Sequence, residues 1–116
     1  MNDDTLLPHQ QTDIYRVCFE LSVRVRKAAI RHAELRDQAE RASVSAFLAV
    51  SEGLPQSSLR MRKQFFDRAR SSVWECAGDI HLATEMGAMQ PDEWRACHAL
   101  AVRASAMLFA LLRRCS

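Results

Sequence analysis

Glycine and proline are scarce. The 116 residues contain three of each, so the chain has few places to turn, and long helices are the arrangement its composition favours. Gly53, Gly78 and Gly87 lie too far apart to form a glycine-rich phosphate loop. Long apolar runs are lacking as well. The longest, Ala104–Leu112, is too short to span a membrane. The acidic start Met1-Asn2-Asp3-Asp4 leads into no apolar region, so no secretory signal is expected. Cys18, Cys76, Cys97 and Cys115 include no CxxC pair and fall inside apolar helical patterns. They read as free thiols of a cytoplasmic protein rather than a disulfide framework. A net charge of +2 makes no global demand for a polyanion.

What remains is a single soluble domain. The apolar fraction of 48% and charged fraction of 26% are ordinary for one, and the length suffices for a core without staples. Residues 1–11 are polar, contain Pro8 and are expected to be a flexible arm. Residues 12–116 predict four helices, at about 13–29, 33–53, 58–87 and 91–115. Thr12 or Asp13 caps the first, in which Ile14, Val17, Cys18, Leu21, Val25 and Ala28 recur at helical spacing. The first reversal is expected within 29–35, where neither Gly nor Pro marks it. Gly53-Leu54-Pro55 ends the second helix, and Ser57 or Ser58 begins the third. There Leu59, Phe66, Val73 and Ile80 recur every seven residues, with Ala69, Cys76 and Ala83 three residues after the last three, a heptad seam. Pro91-Asp92-Glu93 opens the fourth. The fold class is all-α, an antiparallel up-down-up-down four-helix bundle.

The apolar pattern exceeds what one bundle buries. Tyr15 and Phe19 form a second strip on helix one, Trp74 points away from the seam of helix three, and Phe109 adds a further face to helix four. These four residues are candidate contacts between copies in a homo-oligomer.

Chemistry is harder to find. Di-iron bundles need Glu-x-x-His on two helices, and no Glu here precedes a His by three. Cys97 and His98 are adjacent and face different ways on a helix, which argues against zinc. No Ser or Cys has a local base beside it. His98 reads as a core histidine. No catalytic residue, metal or cofactor is expected, and the chain reads as a non-enzyme. Basic residues do cluster: Arg60, Arg62, Lys63, Arg68 and Arg70 meet Asp67 alone over eleven residues. Arg60, Arg62, Lys63 and Arg70 are candidate contacts to RNA or DNA. A second group, Arg24, Arg26, Lys27 and Arg31, is expected at the same pole of the bundle. A solvated helix face remains the alternative for both groups, with the protein then acting as a scaffold for another protein. No aromatic interleaving is visible to support base stacking.

In helix two, Ala42, Ala46, Ala49 and Gly53 share one face, and Arg41, Ser45 and Glu52 gather on another. Arg41 and Glu52 are about 16 Å apart along the axis. Arg41 is therefore expected to pair with an acid on another helix or subunit, Glu75 first.

The pattern Leu35-x-x-Gln38-x-x-Arg41-Ala42-x-x-Ser45, then Glu52-Gly53, resembles the signature of bacterial intervening-sequence proteins, whose genes lie in inserts of large-subunit ribosomal RNA genes. The likeness continues through Phe65-Phe66-x-x-Ala69-Arg70-Ser71-Ser72-Val73-x-Glu75, Leu82-Ala83 and Gly87. It covers about residues 13–112 and extends to the accessory variability protein of diversity-generating retroelements. Ala49 and Ser71 stand where the family usually has Asn and Gly, and the usual Pro-containing connection between helices one and two is missing. Any role tied to that Asn is not carried over. The resemblance implies a four-helix subunit in a homopentamer, with Arg41, Ser45, Glu52, Gly53 and Glu75 as its structural signature. For the retroelement relatives it implies binding of nucleic acid and a reverse transcriptase. It implies no catalysis.

Overall fold

In the computed structural model, which describes residues 5–115, four helices account for most of the chain: α1 (Asp13–Lys27), α2 (Ala33–Gly53), α3 (Leu59–Glu85) and α4 (Pro91–Arg114). No strand occurs among the described residues. Residues 1–4 of the expected arm lie outside them. Within the rest of that arm, Pro8–Gln11 form a short 3-10 helix. Its Gln10 amide donates to the Tyr15 hydroxyl at 3.2 Å, and the His9 and Tyr15 rings meet edge to face at 5.8 Å.

Each start has a local cause. The Thr12 hydroxyl accepts from the Tyr15 N–H and the Ser58 hydroxyl from the Met61 N–H, satisfying otherwise orphaned donors. His32 caps α2 through Nδ1, which accepts from the Leu35 N–H at 3.2 Å. Pro91 opens α4 with Asp92 and Glu93 in its first turn. The turn between α1 and α2 uses Ala29 at φ 51°, a left-handed position that glycine ordinarily fills. Arg31 then ties this turn to the one between α3 and α4. Its N–H donates to the Ala88 carbonyl and its guanidinium to the Gly87 carbonyl, both at 2.8 Å.

Neighbouring helices alternate in direction, in the cyclic order α1, α2, α3, α4. Ser45 meets Ser72 while Gly53 meets Phe65, so α2 and α3 run opposite ways. Likewise Trp74 meets Ser105 and Arg70 meets Phe109 across α3 and α4. The heptad seam is the centre of the core: Phe66, Ala69, Val73, Cys76, Ile80 and Ala83 are fully buried. Leu59 departs from it; as the first residue of α3 it is 55% exposed. Leu21, Val25, Val50 and Leu108 close the core from the other helices. Each large aliphatic or aromatic side chain so buried stabilises the fold by roughly 1.5–3 kcal/mol.

The bundle leaves apolar surface over. By length and hydropathy α4 could cross a membrane, yet Cys97, Ala101, Ala104 and Leu108 face the core. Buried residues make up 22% of its most apolar 18-residue stretch. Phe19, Leu48, Trp74, Val102 and Phe109 are all at least half exposed.

Candidate nucleic-acid interface

The Ser58 cap sets the register of α3 and puts Arg60, Lys63, Asp67 and Arg70 within one helical neighbourhood, three or four residues apart. The four candidate cations, Arg60, Arg62, Lys63 and Arg70, do not behave alike. Arg60 is exposed. Lys63 donates to the Asp67 carboxylate at 2.9 Å. That hydrogen bond, followed by the charge of Asp67, raises the Lys63 pKa above its ordinary value. Arg62 turns back onto the core, its guanidinium carbon 5.5 Å from the centre of the Phe66 ring. Its Nε is shut off from solvent without a hydrogen-bond partner. Arg70 lies between two aromatic rings, 4.5 Å from the centre of Trp74 and 5.4 Å from that of Phe109. Arg113 follows on Phe109 at 5.9 Å. The result is an alternating row of Trp74, Arg70, Phe109 and Arg113. The interleaving of aromatics with cations that cannot be read along the chain therefore exists across two helices.

The antiparallel register also enlarges the basic group. The last turn of α4 lies beside the first turns of α3, close enough for Cys115 to act electrostatically on Lys63. Arg113 and Arg114 thereby join Arg60, Arg62, Lys63 and Arg70. The second basic group does not. Arg24, Arg26, Lys27 and Arg31 sit at the opposite pole, because α1 and α3 run in the same direction and the end of one is level with the end of the other. Arg24 pairs with Glu93 of α4 at 3.7 Å, and Arg31 holds the α3–α4 turn. The expectation of one shared pole is corrected accordingly.

In the signature stretch, Ala42, Ala46, Ala49 and Gly53 are buried against the rest of the bundle. A Cβ built on Gly53 would stand 2.8 Å from the Phe65 Cβ and 3.0 Å from Phe66 Cε1. Ser45 and Ser72, the latter buried, share a hydrogen bond at 3.0 Å. Arg41 and Glu75 line the same shallow polar groove with Gln38 and Ser45. Both are exposed, and no ion pair joins them among the described residues. The expected Arg41–Glu75 pair is not formed within the subunit; at such exposure it would add little. Glu52 is exposed, on a neighbouring groove with Arg41, Val44, Leu48 and Arg68.

The four aromatic candidates for contact between copies separate into two groups. Tyr15 and Phe19 meet Phe47 edge to face at 4.9 and 5.8 Å on the α1–α2 flank. Trp74 and Phe109 belong to the α3–α4 flank, across the bundle. Beside Phe19, the surface carries both signs of charge in Glu20, Arg24, Lys27 and Glu93. Beside Trp74, the cleft carries Arg70 and His98 and no carboxylate among the described residues.

Elsewhere the reactive groups are subdued. Burial pushes the Cys18 and Cys76 thiols up to about 12 and that of Cys97 up to about 11. His98 stacks on Trp94 at 4.8 Å. Among the described residues, no three His, Cys, Asp or Glu are grouped so as to hold a metal ion.

These features define the class: an all-α bundle of four helices whose conspicuous surfaces are basic and aromatic. Comparison with protein families narrows it further. Residues 10–110 match the 23S rRNA-intervening sequence protein family, and the chain belongs to that family. A comparison with curated proteins found no match.

Two contributors were not visible as site residues in the sequence. Ser105 fixes the Trp74 indole by accepting from its Nε1–H at 2.8 Å, and Arg113 extends the aromatic row. The signal for both was the register of α4 on α3, which sets residue 105 against 74 and residue 109 against 70.

Proposed function

We propose that this protein is a non-enzymatic, cytoplasmic bundle that assembles with copies of itself and binds nucleic acid at the pole formed by the start of α3 and the end of α4. The observation that carries this reading is the convergence of Arg60, Arg62, Lys63, Arg70, Arg113 and Arg114 from two helices, opposed within that part of α3 by Asp67 alone. Cations gathered in this way neutralise phosphates and release the counterions condensed on the nucleic acid, and repetition of the pole around an oligomer multiplies the effect.

Assembly is assigned to the α1–α2 flank. Phe19 is half exposed there and Phe47 backs it, while the adjoining groove between α1 and α4 carries charges of both signs, a composition suited to a protein surface. The family resemblance favours five copies. The protein would stand free of cofactors and membranes, with α4 serving as a bundle helix. High thiol pKa values weigh against cysteine nucleophiles and in favour of a non-catalytic role.

Anisotropy titration of a fluorescein-labelled single-stranded RNA against the assembled protein tests the binding claim. Expected is binding at low salt that weakens steeply as salt rises. Arg60→Glu combined with Arg114→Glu should weaken it and flatten the salt dependence by about 0.7 log units of affinity per log unit of salt for each phosphate no longer neutralised. No binding at low salt would overturn the reading. A second reading, a scaffold for a protein partner, draws on the exposed Trp74, Leu82 and Met86 of α3 and its end. A stoichiometric protein partner recovered without nucleic acid would favour it.

A further inference from the structure

The α3–α4 flank holds a cleft of about 490 Å³ beside the basic pole. Trp74 and Phe109 form its aromatic walls, Ala101 and Ala106 offer small surfaces between them, and Arg70 and His98 supply its charged and titratable groups. The volume falls within the range of ordinary ligand sites, roughly 300–1,000 Å³. From this geometry we infer that the cleft receives an unpaired base of a single-stranded nucleic acid, stacked against Trp74, with the flanking phosphates held by Arg70 and Arg113. The inference rests on the nucleic-acid reading and specifies the strand state which that reading leaves open.

Three observations carry it. Trp74 is 57% exposed, yet its indole is held in place by the hydrogen bond to Ser105. With Arg70 over the ring at 4.5 Å, the part of the indole left exposed is positioned in advance, which lowers the ordering cost of binding. Arg70 lies between Trp74 and Phe109 without an ion-pair partner among the described residues. No Asp or Glu lines the cleft among the described residues, so a phosphate meets no like charge there. Finally, Arg113, 5.9 Å from the centre of the Phe109 ring, joins the cleft to the cations of the pole. A flat apolar surface beside a continuous basic track is the arrangement by which single strands are held with little regard to sequence. The neutral alternative, a second copy of this chain laid on Trp74, would leave the Arg70 charge covered without a partner.

The test uses the full chain and three labelled probes of about 12 nucleotides, within the usual span of a single-strand site: oligouridine, oligodeoxythymidine and an RNA duplex. Trp74→Ala should weaken binding of both single strands about tenfold, the loss expected for one stacked base, and leave the duplex unchanged. Trp74→Phe should restore most of the loss. Equal effects on RNA and DNA strands would identify the base and phosphate as the shared determinant, whereas a loss confined to RNA would add its 2′-hydroxyl to that determinant. The inference is overturned if Trp74→Ala binds single strands as the parent does, if it loses duplex equally, or if it changes the mass of the assembly, which would mark Trp74 as a subunit contact. Those results leave the basic pole standing provided Arg60→Glu still weakens binding. Failure of the parent protein to bind any probe overturns both readings together.

Discussion

Asp79 sits well down α3 with Oδ2 closed to solvent and lacking a hydrogen-bond donor. Burial, followed by the charge of Glu75, raises its pKa above the ordinary aspartate value. A carboxyl of this kind takes up its proton in the folded state before the unfolded one, so it lowers stability as pH rises through the window between its unfolded and folded values. Asp79→Asn should therefore melt higher than the parent at neutral pH, with the advantage shrinking as pH falls below the carboxylate range. Thermal melts across pH check this; a difference independent of pH would contradict it. At this scale the sequence was informative about burial and silent about partners. The alternation of small and large residues identified Ala42, Ala46 and Ala49 as buried, because spacing alone determines which face they share. The environment of Asp79 and the orientation of Arg62 onto Phe66 depend on how side chains fold back and on residues of other elements, and no spacing along one helix reveals them.

Within the elements, two glycines have opposite meanings. Gly53 closes α2 where the Phe65 Cβ approaches to within 2.8 Å of a notional methyl. Gly78 lies within α3, exposed, with nothing within 4 Å of such a methyl. Gly53→Ala should destabilise the protein by about 1–3 kcal/mol through overpacking, while Gly78→Ala should stabilise it by about 0.5–1 kcal/mol through helix propensity. Denaturant unfolding measures both, and a matching sign would refute the packing argument. Helix limits were legible where chemistry marks them: Thr12, Ser58, Gly53 and Pro91 each act at a terminus. The α1–α2 turn was not, because it uses Ala29 in a left-handed conformation and a histidine cap, neither of which is a common signal. The same register that hid Ser105 also put the two basic groups at opposite poles; local patterns assign faces to helices but say nothing of which ends meet.

For the whole molecule, the surfaces divide by charge. The surface of α1 couples the half-exposed Phe19 with both signs of charge, and the α3–α4 flank couples exposed aromatics with cations. On the proposed reading the first joins copies and the second, with its adjoining pole, meets a polyanion. Sedimentation velocity, followed at the absorbance of a dye on a single-stranded RNA, examines assembly and binding in one experiment. At low salt the dye should sediment with a species several times the 13.2 kDa subunit mass, and high salt should release it while the protein assembly persists. Dye sedimenting as free RNA at low salt, or protein sedimenting as a 13.2 kDa monomer, would contradict the central claim.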